Sequence, residues 1–169
     1  MSDRAYLDIE TSFSGRITVV GIYLPELEII QLVGDEITCA SVTEALSSAT
    51  AIVTYNGNRF DLPVIKRKIG LDLRARFASC DLMYECWRRG LYGGLKGVEH
   101  QMGISRETEG ITGRDAPILW ERYVRKGDPE ALDLLLKYNR DDVMNLAVME
   151  RLLSGCADRS ARIWYSGEV

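Results

Sequence analysis

The sequence predicts one mixed α/β domain, with three antiparallel strands first, further strands added in parallel, and helices flanking the sheet. Two observations predict this class. Runs rich in β-branched residues fill the first part of the chain, and helical patterns fill the second part. The order of three strands, a helix, a strand and more helices is typical of mixed α/β domains. With 169 residues, the chain has the size of one domain. We therefore expect a single domain over 1–169, with a core at about 5–154 and an unassigned tail at 155–169.

Four apolar segments predict the strands. AYLDI at 5–9 is short and apolar, and RITVVGIYL at 16–24 and LEIIQLVG at 27–34 are rich in β-branched residues. A Pro-Glu turn separates the second segment from the third, so we expect the three to form an antiparallel start to the sheet. AIVTY at 51–55 is apolar throughout, which is typical of a strand buried inside a sheet.

Capping residues and glycines mark the helices. Ser41, followed by Glu44, has the pattern of a capping box and predicts a short helix through Ala49. The segment DLPVIKRKIG predicts a helix that ends at Gly70. The other predicted helices run from Asp81 through Arg89, over LKGVEHQMG, from Pro117 over PILWERYVRKG, and from Asp128-Pro129 to about Leu153.

Composition excludes some classes of protein. The chain is 46% hydrophobic and 27% charged, as in soluble globular proteins, and it has no apolar run of the roughly 18 residues that a membrane span needs. No secretory signal is visible at the start. The four cysteines form no C-x-x-C pair, so we expect reduced thiols in a cytoplasmic protein rather than disulfides or a zinc site.

The first group of chemically informative residues is Asp8-Ile9-Glu10. Residues two apart in a strand point to the same side, so both carboxylates are expected to face one way and Ile9 the core. At ~4 Å and an effective dielectric near 20, two such charges repel by about 4 kcal/mol. A cation relieves this repulsion, and carboxylate ligands favour magnesium or manganese. The alternative is a strand end whose carboxylates simply face water.

The second group lies in the loop YNGNRFDLP after the apolar strand. Asp61 falls where a helix is predicted to begin, so it is a candidate functional carboxylate. The alternative is that Asp61 is an N-cap and that Asn56 and Asn58 are ordinary turn residues.

The third group lies on the long C-terminal helix. At about 100° per residue, Asp142 falls on an apolar stripe, where an unpaired carboxylate would be costly. It needs a partner, and a metal ion would be one. Asp141 lies about 100° away and is expected to be solvated. Alternatively, the stripe is phased differently and Asp142 lies at the helix surface. The stripe contains Leu135, Asp142, Leu146, Met149 and Leu153, with Tyr138 on its edge.

The three groups occur in the order acid-x-acid, N-x-x-x-F-D, Y-x-x-x-D. This pattern resembles the DEDD, or DnaQ-like, 3′–5′ exonucleases, in their tyrosine-containing branch. The segments YNGNRFDLPVI, LKGVEHQMGISR and ILWERYVRKGDPEALDLLLKYNRDDVMNL are similar to predicted ribonuclease-H-like nucleases of the YprB type. The resemblance extends from about Tyr6 to Leu153. It implies a ribonuclease-H-like fold.

The resemblance also implies a mechanism. Two divalent ions, Mg²⁺ or Mn²⁺, would promote hydrolysis of a single-stranded DNA or RNA 3′ end, releasing nucleoside 5′-monophosphates. Asp8 would bridge both ions, Glu10 and Asp142 would complete one site, and Asp61 would reach the other. Tyr138 would orient the attacking water. Thr11, Asn56 and Phe60 are the candidate residues for binding the terminal nucleotide.

One position distinguishes the branches of this family. The sister branch has a histidine five residues before the last aspartate as its general base, and that position here is Lys137. The only histidine in the chain is His100, which we interpret as a polar residue on a short helix. The resemblance therefore implies that Tyr138 has the role that the histidine has in the sister branch.

The net charge of −4 and the pI near 5.1 argue against a strongly basic nucleic-acid surface. Two divalent ions would bring the formal charge to zero, so weak binding is expected outside the metal site. The candidate cations for backbone contacts are Lys66, Arg67, Lys68, Arg88 and Arg89. Two alternatives stay open: a structure-selective endonuclease on the same fold, and a catalytically idle nucleic-acid-binding or scaffold domain. The sequence does not distinguish DNA from RNA.

Overall fold

Among the residues that the structure describes, five strands form one mixed sheet. The computed structural model describes residues 4–25, 27 and 29–163, with side chains as far as residue 155. The strands are β1 (Arg4–Thr11), β2 (Ile17–Tyr23), β3 (Ile29–Val33), β4 (Ala51–Thr54) and β5 (Ala78–Asp81), in the spatial order β3-β2-β1-β4-β5. The pairs β1–β2 and β2–β3 are antiparallel, whereas β1–β4 and β4–β5 are parallel. This arrangement confirms the predicted fold class.

In the part of the chain that the structure describes, six α-helices surround the sheet. They are α1 (Cys39–Ala45), α2 (Asp61–Ile69), α3 (Leu82–Arg88), α4 (Gly94–Met102), α5 (Ala116–Lys126) and α6 (Pro129–Ile163), and short 3₁₀ turns lie at Gly34–Glu36 and Leu73–Ala75. The predicted end of α2 is confirmed, because Gly70 terminates it with a φ of 73°, a conformation that glycine adopts without steric cost.

The side chains of β1 point alternately into two hydrophobic clusters, one on each face of the sheet. Leu7 and Ile9 pack into a cluster with α1 and α2 on one face of the sheet. Tyr6 packs into a second cluster with α3, α4 and α6. Because side chains alternate along a strand, Asp8 and Glu10 lie on the same face as Tyr6, which is the face covered by α6. The alternation of side chains along β1 therefore directs both carboxylates toward the helix that carries Asp142.

The long helix α6 has the predicted apolar stripe. Leu135, Leu146, Met149 and Leu153 are all buried, as is Asp142, so the predicted phase is confirmed. Asp128 accepts a hydrogen bond from the Ala131 amide at 3.2 Å and caps the first turn. The helix continues ten residues beyond Leu153, to Ile163, so most of the segment that the sequence left unassigned is helical.

The capping box predicted at Ser41 is wrong by one turn. Thr38 is the N-cap of α1, and its side chain accepts a hydrogen bond from the Ser41 amide at 3.0 Å. The Ser41 hydroxyl in turn accepts from the Thr38 amide at 3.0 Å. Thr38 thus forms the reciprocal pair three residues earlier than expected, and α1 ends at Ala45 rather than at Ala49.

None of the described helices is long and apolar enough to cross a membrane. The described cysteines are free thiols: Cys39 is exposed, Cys80 is half-buried and Cys86 is buried. The side chain of Cys156 lies outside the described residues.

Candidate active site

Three carboxylates from two elements meet at one end of the sheet. Asp8 and Glu10 come from the last residues of β1, and Asp142 comes from the middle of α6. One carboxylate oxygen from each lies within 4.8 Å of the other two. Glu10 and Asp142 are buried, and Asp8 is half-buried. The sequence spacing alone placed Asp8 and Glu10 on one side, and the packing of α6 on the sheet adds Asp142.

Asp61 is the fourth predicted carboxylate, and its side chain points to β1. It is the first residue of α2, whose N-cap is Phe60. Asp61 Oδ1 accepts a hydrogen bond from the Ile9 amide at 3.0 Å, between the two acids of β1. Asp61 is therefore not an N-cap. It is buried beside the other three acids.

Burial and mutual repulsion raise the pKa of all four carboxyl groups. For Asp8, burial raises the pKa well above its usual value, and the negative charges of Asp142 and Glu10 raise it further. Burial likewise raises the pKa of Glu10, with added contributions from Asp142 and Asp61. Burial raises the pKa of Asp61 to about 7. It raises that of Asp142 to about 6, although Arg106 beside it acts in the opposite direction.

Arg106 is a partner of Asp142 that the sequence did not identify. One of its terminal nitrogens donates a hydrogen bond to Asp142 Oδ1. Its other terminal nitrogen donates to both oxygens of Glu99, at 2.8 and 2.7 Å. Asn145 also donates to Glu99, at 3.1 Å. The sequence indicated only that Asp142, a carboxylate on an apolar stripe, requires a partner. It did not indicate which residue supplies that partner.

Asn139 is a second residue that sequence reasoning missed. Its side-chain amide donates a hydrogen bond to Asp8 Oδ2 at 3.0 Å. The side chain of Gln31 in β3 donates a hydrogen bond to Asn139 Oδ1 at 3.0 Å, which fixes the orientation of the Asn139 side-chain amide. Asn139 follows Tyr138 directly in the third motif, and this position was its only sequence signal.

Asp141 is not solvated, contrary to the sequence-based expectation. It accepts hydrogen bonds from the backbone amide of Thr108 at 2.9 Å and from the Thr108 hydroxyl at 2.6 Å. The loop between α4 and α5 covers this side of α6, and the hydrogen bonds to Asp141 hold Thr108 of this loop against the helix. The same loop carries Arg106, so Asp141 helps to hold the partner of Asp142 in place.

Tyr138 lies beside the acids, and two cations lie close to its ring. Lys96 Nζ is 4.2 Å from the ring centroid, and the guanidinium carbon of Arg106 is 5.3 Å from it. Burial raises the pKa of the Tyr138 hydroxyl far above its usual value, and the charges of Asp142 and Glu10 raise it further. The hydroxyl therefore stays protonated at physiological pH and can donate a hydrogen bond.

The loop after β4 carries the other predicted residues. Asn56 has a positive φ of 61°, which asparagine tolerates better than most residues. Asp81, at the end of β5, accepts hydrogen bonds from the amides of Asn56 at 2.7 Å and Asn58 at 3.1 Å. Phe60 is 43% exposed and is therefore not a core residue. Asp81 thus couples the shape of this loop to the edge of the sheet.

The structure brings all the predicted site residues into one cleft of about 220 Å³. By contrast, His100 is exposed on α4, and Lys66, Arg67, Lys68, Arg88 and Arg89 are exposed on α2 and at the C-terminal end of α3. The residues that line the cleft are Asp8, Ile9, Glu10, Thr11, Tyr55, Asn56, Phe60, Asp61, Gly113, Tyr138 and Asp142.

The donor set fits a hard divalent cation. Asp8, Glu10 and Asp142 offer only carboxylate oxygens, the ligands that Mg²⁺ and Mn²⁺ prefer. No thiol or imidazole belongs to the three-residue cluster. A bound cation would also offset the repulsion among the acids. The site therefore fits a divalent metal, and its chemistry does not distinguish magnesium from manganese.

Known proteins match both this sequence and this structure. The chain is 28% identical over 145 residues to the uncharacterized protein YprB of Bacillus subtilis (strain 168), covering 79% of this chain and 33% of that protein. A family B DNA polymerase from the hyperthermophilic archaeon Pyrobaculum calidifontis superposes with a TM-score of 0.69 at 19% identity, covering 89% of this chain and 24% of the polymerase. The chain thus spans a third or less of each of these relatives. The sequence model of the RNase_H superfamily matches residues 5–154, and the chain therefore belongs to the RNase H superfamily.

Proposed function

We propose that the chain is a metal-dependent 3′–5′ exonuclease that releases nucleoside 5′-monophosphates from single-stranded DNA or RNA. Membership of the RNase H superfamily supports a nuclease in general. The observation that carries the finer proposal is the convergence of Asp8, Glu10 and Asp142 within 4.8 Å, beside Asp61 and Tyr138 in one cleft. Four acids and a tyrosine, in this chain order, form the pattern that resembles the tyrosine-containing exonucleases.

In this proposal the four carboxylates hold two divalent ions, Mg²⁺ or Mn²⁺. Two such ions supply charge stabilisation for the attacking and leaving oxygens of an in-line phosphoryl displacement. The backbone of Asp8 and Glu10 is restricted because both residues pair with β2. Arg106 and Asn139 restrict the carboxylate rotamers of Asp142 and Asp8. Preorganised ligands of this kind lose little freedom when the cations and the substrate bind.

Tyr138 acts as a hydrogen-bond donor rather than as a base. The raised pKa of its hydroxyl keeps the proton in place, so the residue can orient the attacking water or a phosphate oxygen. Thr11, Asn56 and Phe60 lie around the same cleft and hold the terminal nucleotide. Phe60 presents an exposed ring on which a base can stack.

The test is a gel assay with 5′-labelled single-stranded DNA and RNA, each with Mn²⁺, Mg²⁺ or EDTA. The proposal predicts a ladder that shortens from the 3′ end, that requires metal and that is absent with Asp8→Ala. Full activity of Asp8→Ala or of Asp142→Ala would contradict the assignment of the site. A melting curve for each variant shows whether the fold is intact.

A circular single strand separates this proposal from an endonuclease on the same fold. An exonuclease needs a free 3′ end, so the circle should stay intact under conditions that degrade the linear strand. Linearisation of the circle by wild type, but not by Asp8→Ala, would favour the endonuclease. No cleavage of any substrate by folded, metal-bound protein would favour a binding or scaffold domain.

A further inference from the structure

An exposed surface of aromatic and arginine side chains continues from the cleft, away from the acids. We call Arg59, Phe60, Trp87 and Tyr92 the aromatic rim. The side chains of Phe60, Trp87 and Tyr92 are 43%, 38% and 59% exposed, and Arg59 is exposed as well. Three large rings exposed on neighbouring segments form the kind of surface patch that marks an interaction site.

Contacts hold the rim in place while leaving its rings open. The guanidinium carbon of Arg59 lies 5.9 Å from the centroid of the Trp87 ring. The rings of Tyr84 and Trp87 form a T-shaped pair, with 5.7 Å between their centroids and an interplanar angle of 88°. The Tyr92 hydroxyl donates a hydrogen bond to the Trp87 carbonyl at 3.3 Å. Little side-chain freedom is therefore lost when a ligand binds.

The rim is continuous with the cleft through the loop after β4. Phe60 lines the cleft, Arg59 precedes it in the chain, and the Arg59 side chain reaches Trp87 on α3. Asp81 fixes this loop through the amides of Asn56 and Asn58. A ligand that fills the cleft and extends past Phe60 therefore meets Arg59 and Trp87 next.

The chemistry of the rim suits unpaired nucleotides. Bases stack on aromatic rings whatever their sequence, and arginine contributes both phosphate contacts and cation–π contacts. Within the described part of the chain, Arg59 forms no ion pair, so its charge remains available, whereas Arg88 nearby pairs with Glu85. Bases in a duplex are already stacked and would not reach these rings. The rim therefore selects single strands.

We propose that the aromatic rim is a single-strand platform that binds the nucleotides 5′ to the terminal nucleotide in the cleft. This inference rests on the proposed exonuclease function, because that function places the 3′ end beside the acids. It adds a substrate property: oligonucleotides long enough to reach Trp87 bind more tightly than a dinucleotide. Stacking on the rim also explains how a chain with a net charge of −4 can hold a polyanion.

The test is binding measured by fluorescence anisotropy in EDTA, with a labelled oligothymidylate of about twelve nucleotides. Trp87→Ala, Tyr92→Ala and Arg59→Gln should each weaken binding by about tenfold, whereas Trp87→Phe keeps a ring and should stay near wild type. The matched control is Tyr123→Ala, a half-buried aromatic residue on α5 outside the rim, which should not change the affinity. Melting curves confirm that each variant is folded.

The outcomes separate this inference from the proposed function. If Trp87→Ala and Tyr92→Ala bind the oligonucleotide as tightly as wild type does, the platform is overturned, even where wild type still degrades the strand. That result would favour a protein partner for this surface. Loss of binding in these variants without any metal-dependent cleavage by wild type supports the platform and contradicts the exonuclease. Where cleavage is present, the same variants should raise the KM for the long strand about tenfold and leave the KM for a dinucleotide unchanged.

Discussion

Arg106 and Glu99 form a buried ion pair whose energy depends on both members. Glu99 is 1% exposed, and Arg106 donates to both of its oxygens as well as to Asp142. Breaking such a pair leaves an uncompensated buried charge, whereas replacing both members avoids that penalty. At the residue scale, this pair connects the stability of the loop between α4 and α5 to the geometry of the candidate site.

Removing Arg106 should therefore destabilise the protein strongly. We expect Arg106→Met to lower the free energy of unfolding by about 3–5 kcal/mol, because Glu99 and Asp142 lose their shared cation. The double variant Arg106→Met with Glu99→Gln should recover part of this loss. Urea unfolding measures both values.

Arg122→Met is the matched control for this prediction. Arg122 pairs with Asp128 at 2.6 Å with about half of its side chain exposed, and exposed pairs contribute roughly 0–1 kcal/mol. A loss for Arg106→Met no larger than that of Arg122→Met would show that the buried pair does not stabilise the fold.

Part of this chemistry could be predicted from the sequence. The helical phase indicated that Asp142 interrupts an apolar stripe and needs a partner, and the burial of Asp142 confirms that phase. The partner itself could not be predicted, because Arg106 lies 36 residues earlier, in a loop with no periodic pattern. Asp141 was misjudged for the same reason, since its partner Thr108 lies in that loop.

At the element scale, the close approach of α6 to β2 orients Asp8. A Cβ atom added to Gly21 would lie 2.1 Å from Asn139 Oδ1. Asn139 cannot yield freely, because Gln31 and Asp8 both hydrogen-bond to its side chain. The absence of a side chain at Gly21 therefore allows the contact through which α6 orients the first carboxylate.

We expect Gly21→Ala to lower the free energy of unfolding by about 1–3 kcal/mol and to reduce metal-dependent activity, because Asn139 must move away from Asp8. Asn139→Ala in the same chain should recover part of the stability, since the overlapping atoms belong to the Asn139 side chain. Urea unfolding and the gel assay give the two readouts.

Gly97→Ala provides the comparison within a helix. A Cβ atom there meets only the Tyr92 carbonyl oxygen at 3.7 Å, so the change should be neutral or stabilise α4 by up to about 1 kcal/mol. If Gly21→Ala were as stable as wild type, the tight contact between β2 and α6 would be disproved.

Sequence patterns predicted the elements unevenly. The short apolar run at 5–9 predicted β1, the β-branched runs predicted β2 and β3, and the apolar run at 51–55 predicted β4. The edge strand β5 was missed because ASCD is short and half exposed; its pairing with β4 forms it. The start of α1 was misplaced because Thr38 and Ser41 each have a suitable acid or hydroxyl three residues later, and local pattern does not rank them.

At the scale of the whole molecule, the crowded acids couple folding to pH. The pKa of Asp61 is raised to about 7 and that of Asp142 to about 6, whereas an unfolded aspartate titrates near 3.9. The folded state therefore binds more protons than the unfolded state between those values. Their contribution to stability is fully present below about pH 4 and is lost as pH rises through about 6 and 7.

The metal-free protein should accordingly melt at a lower temperature at about pH 8 than at about pH 5. Added Mg²⁺ or Mn²⁺ should remove most of this fall, because the cations stabilise the ionised carboxylates. Thermal melting in EDTA and in millimolar metal measures both effects. Asp72, Asp115 and Asp128 do not interfere, because their lowered pKa values affect stability only at more acidic pH.

Asp61→Asn is the control variant, since it removes one of the titrating groups and should flatten the pH dependence. A melting temperature that stays constant from about pH 5 to about pH 8 in EDTA would show that the carboxylates are not coupled as their burial indicates.

Manganese binding is the sharpest test of the proposal that Asp8, Glu10, Asp61 and Asp142 form a divalent metal site. Electron paramagnetic resonance measures the signal of free Mn²⁺ as protein is added. We predict that wild type lowers this signal, that Asp8→Ala loses most of the uptake, and that Asp35→Ala, which removes an exposed acid paired with Arg16, binds as wild type does. A wild-type protein that leaves the free Mn²⁺ signal unchanged, or an Asp8→Ala variant that binds as much manganese as wild type, would show that these carboxylates do not form the metal site.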